Sequence, residues 1–267
     1  MDDVLLVASD LDRTLLLEGG KVPPNLQDYV RRLSKAGIVF VPASGRPLAT
    51  LKEMFNWPDM DLAFISDNGA VVESRGSILH RSVISAEQYL PMVDGTLTST
   101  DGYPTLCGMD AAYLPTSARP LADQFHVYYK NLVFVSDFEG IDEEIVKYSA
   151  YFPEEDARRA LDDYFQPNFG DSFTVTLGGP PWVDIMNIGV SKGNAIEVLS
   201  EHLGLGRRQL MAFGDTLNDF EMLAAVEHSY AVANADQEVL DKAQFLTASN
   251  EELGVYQVLD RLLGQRD

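Results

Sequence analysis

The sequence predicts an α/β protein whose parallel-sheet core is interrupted by an α+β segment. Three observations predict it. Short, wholly apolar runs alternate with helix-period segments at both ends of the chain, the pattern of strands buried on both faces. Between residues 83 and 182 the runs become alternating and richer in proline and aromatic residues. Polar clusters stand just past several apolar runs, where open parallel sheets bind ligands.

The first strand is the run at 4–8, stopped by Ser9-Asp10. A loop with Gly19, Gly20, Pro23 and Pro24 follows. A helix then starts with Asn25 as its cap, carries Leu26, Val30 and Leu33 on one face and stops at Gly37. Residues 38–41 form the second strand, Pro47 opens the next helix, and residues 62–65 form the third strand. Near the other end, Ser191 caps a helix with Ile196, Leu199 and Leu203 on one face, ended by Gly204. A strand at 210–213, a helix at 217–225 and a strand at 230–233 come next. A last helix carries Val255, Val258, Leu259 and Leu262. In the middle, 125–129 and 173–177 read as half-exposed antiparallel strands, with 145–148 as another. A helix is expected from Pro153 to Phe165. The expected organisation is a core of residues 1–82 and 183–267 with 83–182 inserted.

The chain has 267 residues, 46% of them hydrophobic and 23% charged, which fits a folded globular protein. No run reaches the roughly 18 apolar residues of a membrane span, and the acidic start disfavours export, so a cytoplasmic protein is expected. Cys107 is the one cysteine, which excludes an internal disulfide and a cysteine-built zinc site. With 20 basic and 41 acidic residues the net charge is −21. That field opposes nucleic acid and anionic membranes as partners. A small anionic substrate remains compatible, because a metal ion and one or two cations can reverse the local sign.

Four polar clusters carry the chemistry. Asp10-Leu11-Asp12-Arg13-Thr14 leaves the first strand with two carboxylates on one side. Carboxylates held so close repel unless a cation joins them or one keeps its proton. Either a Mg²⁺ site or an attacking carboxylate beside a proton donor satisfies that constraint; a helix cap or solvated turn is the plainer alternative. Ser44-Gly45-Arg46, before a helix opened by Pro47, offers a hydroxyl and an unobstructed backbone to a phosphate. Lys192 begins a helix, where a cation opposes the helix dipole and so invites a role. Gly214-Asp215-Thr216-Leu217-Asn218-Asp219 crowds two acids and an amide into another strand-end turn; a helix acid and a cap are one reading of Asp219 and Asn218, and a second group of metal ligands facing the first is the more economical one.

In this order the four clusters resemble the motifs of the haloacid dehalogenase superfamily of phosphohydrolases. Asp67-Asn68-Gly69-Ala70 also matches a loop of the Cof-type subgroup, which carries a large C2 cap between its second and third motifs. The resemblance implies a Rossmann-like core with 83–182 as an α+β cap. It implies Asp10 as the nucleophile, forming an aspartyl-phosphate, and Asp12 as the acid and base. Mg²⁺ would lie on Asp10, the Asp12 carbonyl and Asp215, with Asp219 and Thr14 behind them. Ser44, Gly45, Lys192 and Asn218 would hold the phosphoryl oxygens. Apart from the resemblance, Arg46 is a candidate contact for an anionic or hydroxylated substrate, a solvent-facing role being the alternative. Arg13 stands where the family often has a small or apolar residue, adding a cation near the site mouth.

The expected activity is therefore Mg²⁺-dependent hydrolysis of small phosphorylated metabolites, sugar phosphates first, by a monomer. A phosphosugar mutase is the second reading, opposed by the large insertion after the second motif. A phospho-accepting switch is the third, opposed by Asp12, which such a switch does not need.

Overall fold

The computed structural model describes residues 1–154 and 156–264. Its strands are β1 (Leu6–Ser9), β2 (Val39–Pro42), β3 (Ala63–Ser66), β4 (Val71–Ser74), β5 (Ser77–Arg81), β6 (Tyr103–Gly108), β7 (Ala112–Pro115), β8 (Leu132–Val135), β9 (Ile145–Tyr151), β10 (Phe173–Gly179), β11 (Trp182–Asn187), β12 (Leu210–Gly214), β13 (His228–Val232) and β14 (Phe245–Thr247). Its helices are α1 (Leu26–Lys35), α2 (Leu48–Met54), α3 (Ala86–Ser99), α4 (Ala122–Phe125), α5 (Ala157–Ala160), α6 (Gln166–Phe169), α7 (Lys192–Leu203), α8 (Phe220–Ala225), α9 (Gln237–Leu240) and α10 (Gly254–Gly264).

The chain forms two compact units. The first comprises Met1–Ser44, Phe55–His80 and Ser191–Asp267; the second comprises Gly45–Met54 and Arg81–Val190. In the first, a five-stranded sheet runs in the order β14-β13-β12-β1-β2, parallel throughout. β1 and β2 are buried at every residue, as strands covered on both faces are, whereas the edge strand β14 is largely exposed. β3 continues this sheet through the parallel bridges Phe40↔Leu62 and Ala43↔Ile65, then turns into the β3-β4-β5 sheet. Leu6, Val41, Ile196, Leu199 and Ala212 belong to one buried cluster. Full burial of a leucine such as Leu199 stabilises by about 1.5–3 kcal/mol. Chain order reverses at β1, which pairs with β2 on one side and β12 on the other. The ends of β1 and β12 therefore form the switch point at which such sheets bind ligands.

The second unit is built on a six-stranded sheet, β10-β11-β9-β6-β7-β8. Ile84, Tyr89, Met92 and Tyr148 lie in one of its apolar clusters. Phe125, Tyr129, Tyr151 and Trp182 lie in another. Among the described residues no helix is long and apolar enough to cross a membrane.

Several expectations need correction. Residues 125–129 are not a strand: Tyr129 N donates to Phe125 O in a helical turn after α4. Phe125 and Tyr129 are four apart and both buried, a helix spacing hidden by the alternation around them. The strand 145–148 is longer than expected and fully buried rather than half-exposed. The helix expected from Pro153 begins at Ala157 and continues through Leu161–Phe165 to Phe169; residue 155 of that expectation lies outside the described residues. Asn25 precedes α1 in a left-handed conformation with no side-chain cap hydrogen bond. Residues 183–187 pair with β9 and β10, so the chain rejoins the first unit at Ser191. The segment Gly45–Met54, expected in the core, clusters with the second unit.

Candidate active site

Asp10 is the first residue past β1, and its N–H donates to the Phe213 carbonyl at 2.9 Å, tying the ends of β1 and β12 together. The chain then winds through Leu11–Leu15, closed by a bond from Leu16 N to Leu11 O. Arg13 takes a left-handed φ of 66° in this turn, a conformation costing roughly 1–2 kcal/mol for an L-residue. Asn234 holds it there: its Nδ2 donates to Arg13 O, and Arg13 Nη2 donates to Asn234 O. The same turn sends Thr14 Oγ1 to Asp215 Oδ1 at 2.9 Å and Arg13 Nη1 to within 3.5 Å of Asp215 Oδ2.

Asp215 and Asp219 enter from the end of β12. Gly214 lets Asp219 fold back, since a Cβ there would stand 2.8 Å from the Asp219 Cγ. Asp219 Oδ2 then accepts the N–H groups of Asp215 and Thr216 at 2.9 and 3.3 Å. Lys192 arrives at the start of α7, where Ser191 Oγ accepts from Asn194 N as expected. Its ammonium is wholly buried, 2.5 Å from Asp10 Oδ1 and 2.6 Å from Asp219 Oδ1.

Oxygens of Asp10, Asp215 and Asp219 lie within 4.8 Å of one another. Burial pushes the Asp10 carboxyl well above its ordinary range, and the Asp219 and Asp215 charges add to that while Lys192 opposes it. Burial also leads for Asp215, with the Asp219 charge, and raises it to about 6. For Lys192 burial disfavours the charge, but Asp10 and Asp219 outweigh it and the ammonium is held charged.

These groups fit a hard divalent cation. Three clustered carboxylates face one fully buried ammonium, and all donors are oxygens. Asp215 Oδ2 is buried and accepts no hydrogen bond, its one cation being the Arg13 guanidinium at 3.5 Å, so it is left for a metal ion to complete. Asp219 already has both oxygens bonded, so Asp10 and Asp215 are the better placed donors. The Asp12 carboxylate is not part of the cluster, and its residue is half-buried in a φ/ψ outside the helical region.

Ser44 lies just past β2 and is buried, its N–H donating to Ile65 O and its carbonyl accepting from Asn68 N at 3.0 Å. Asn218 Oδ1 accepts from Thr216 Oγ1, and its Nδ2 donates to Asn68 Oδ1 at 3.3 Å. Asn68 thus joins Ser44 and Asn218. Gly45 and Arg46 are held inside the second unit: Lys147 Nζ donates to Gly45 O at 2.6 Å, and Arg46 Nη1 donates to Val127 O at 3.0 Å. The Arg46 guanidinium also lies over the Tyr128 ring, 5.5 Å from its centroid.

Sequence reasoning missed Lys147 and its partner Asp184, both buried and 3.4 Å apart, with Ser149 Oγ donating to Asp184 Oδ1. A lone cation inside the apolar run 145–148 was the available signal. Cys107 is buried against Tyr129 and Ser149.

The model of the haloacid dehalogenase-like hydrolases matches residues 7–259. The chain is 27% identical over 267 residues to 5-amino-6-(5-phospho-D-ribitylamino)uracil phosphatase YbjI of Escherichia coli K12, covering 97% of this chain and 96% of that protein. It is 26% identical over 246 residues to an HMP-PP phosphatase of an Enterobacter species, covering 90% and 88%. Among solved structures, SMU.1108c of Streptococcus mutans UA159 superposes with a TM-score of 0.88 at 28% identity, covering 98% of this chain and 99% of that one. The HAD subclass IIB sugar phosphatase BT4131 superposes at 0.78 and 20% identity, covering 96% and 98%, a likeness of fold alone. Fold, match and relatives agree, and the chain belongs to the haloacid dehalogenase-like hydrolase family, among its Cof-type phosphatases.

Proposed function

We propose that this protein is a Mg²⁺-dependent phosphatase of small phosphorylated metabolites, sugar phosphates first, acting as a cytoplasmic monomer. The observation that carries the reading is the convergence of Asp10, Asp215, Asp219 and Lys192 at the adjoining ends of β1 and β12. The names of the relatives, phosphatases of small phosphorylated compounds, support the substrate class.

Asp10 and Asp215 would hold Mg²⁺ with the Asp12 carbonyl, and the bound ion supplies charge neutralisation to an anionic phosphoryl group. Phosphoryl transfer needs little more than positioning and such neutralisation. In the first step an Asp10 oxygen attacks phosphorus, an O–P bond forms, and the bond to the leaving oxygen breaks. Asp12 gives that oxygen its proton, so an alcohol departs. In the second step Asp12 takes a proton from water as the water oxygen attacks phosphorus. Inorganic phosphate leaves, and the Asp10 carboxylate and the Asp12 proton are restored. Lys192, Ser44, Gly45 and Asn218 hold the phosphoryl oxygens, with Asp219 keeping Lys192 in place and Thr14 steadying Asp215.

A screen of phosphorylated metabolites with released phosphate as readout tests the reading. Release from one or more sugar phosphates supports it. An isomeric sugar phosphate without free phosphate points to a mutase, and neither product points to a switch.

A further inference from the structure

We infer that the loop Asp67–Gly69 is a positioning element for the phosphoryl site, with Asn68 as its central residue. The inference rests on the proposed phosphatase reading and names a device that reading leaves unused. Three residues in succession take left-handed φ values: Asp67 at 50°, Asn68 at 58° and Gly69 at 102°. Asp67 and Asn68 are L-residues with side chains, so this backbone is strained, and it persists only where the surroundings hold it. It is also buried at all three positions.

What holds it are the residues assigned to the phosphoryl group. Asn68 N–H donates to the Ser44 carbonyl at 3.0 Å. Asn68 Oδ1 accepts from Asn218 Nδ2 at 3.3 Å, which leaves the second Nδ2 hydrogen of Asn218 for a ligand. Gly69 packs against the start of α7 so closely that a Cβ on it would run into the Ser191 carbonyl and stand 3.1 Å from the Lys192 nitrogen. One three-residue loop therefore touches Ser44, Asn218 and the backbone of Lys192, which come from three distant segments. Its left-handed turn is what lets the Asn68 main chain face one of them while its side chain faces another. Displacements near 1 Å in such a site cost up to about 100-fold in rate, so a rigid brace that contacts no substrate still governs turnover.

The test is a double-mutant cycle on Asn68→Gly and Asn218→Ala, read on the full-length protein by hydrolysis of p-nitrophenyl phosphate and by calorimetric titration of inorganic phosphate with Mg²⁺. Glycine accepts the left-handed φ, so Asn68→Gly deletes the side chain without adding strain. It is expected to lower kcat/KM about 10- to 100-fold and weaken phosphate binding about 10-fold, while in the Asn218→Ala background it changes either by less than about twofold. Unchanged phosphate affinity in Asn68→Gly overturns the inference, as does an effect that is the same with and without Asn218. Wild-type protein that binds phosphate but releases none from any ester contradicts the phosphatase reading, and the affinity cycle still judges Asn68. Wild-type protein that binds no phosphate contradicts both.

Discussion

The ammonium of Lys192 lies 2.5 Å from Asp10 Oδ1, although 182 residues separate the two in the chain. α7 delivers the lysine, β1 delivers the aspartate, and Asp219 grips the same ammonium from β12. The proposed nucleophile is thereby oriented before any substrate arrives, and its charge is partly balanced in a buried setting where an isolated carboxylate is expensive.

Asp12→Ala is expected to cut kcat on a sugar phosphate by about 10²–10⁴-fold. The loss on p-nitrophenyl phosphate is smaller in the first step, because its leaving group departs without a proton. Mg²⁺ affinity, read by calorimetry, stays close to wild type because the Asp12 carboxylate stands outside the acidic cluster. Equal turnover of the sugar phosphate by the variant would remove Asp12 from the mechanism.

EDTA is expected to stop hydrolysis and Mg²⁺ to restore it. Mg²⁺ also raises the thermal midpoint of the wild-type protein, by mass action on the folded state, and both responses weaken in Asp215→Asn. Turnover that survives exhaustive chelation would refute the ligand set.

In metal-free protein, stability should respond to Asp215. Its folded value of about 6 lies above the ordinary 3.8, chiefly through burial and then the Asp219 charge. Between those values the folded chain retains a proton that the unfolded chain has lost, so this group's contribution falls as pH rises from about 4 to about 6 and then levels. Asp215→Asn removes the effect. In EDTA the variant should gain on wild type across that window, by on the order of 1–3 kcal/mol. A stability difference that does not change with pH would contradict the assignment.

Arg46 separates two roles. As a brace inside the second unit, it donates to Val127 O and covers Tyr128. Arg46→Ala is then expected to destabilise by about 0.5–2 kcal/mol, since a part-buried hydrogen bond and a ring contact are lost. Thermal unfolding measures that loss. A raised KM with unchanged stability would instead restore Arg46 as a substrate contact.

The core was legible because its strands are buried on both faces, so runs such as 4–8 and 210–213 carry no alternation to misread. The polar residues at their ends stood out for the same reason. α3 was hidden by Pro91 and Gly95, although Ser85 and Gln88 form a capping box whose spacing is visible in the sequence. The expected boundary at residue 183 put most of β11 in the returning core. Only pairing with β9 and β10, which no local pattern encodes, places it in the other sheet. At the site, Asp10, Lys192, Asp215 and Asp219 were readable from strand ends and helix starts. The bracing by Asn68 and the pairing of Lys147 with Gly45 were not, because both join segments far apart in sequence through main-chain atoms.

The central claim is that Asp10 captures the phosphoryl group. Acid quench of a single turnover, followed by peptide mass spectrometry, tests it most directly. The account predicts one phosphoryl group on the peptide containing Asp10 in wild type and none in Asp10→Asn, whose turnover falls by about 10³-fold or more. Undiminished hydrolysis by Asp10→Asn, or a phosphoryl group trapped on another residue, would contradict it.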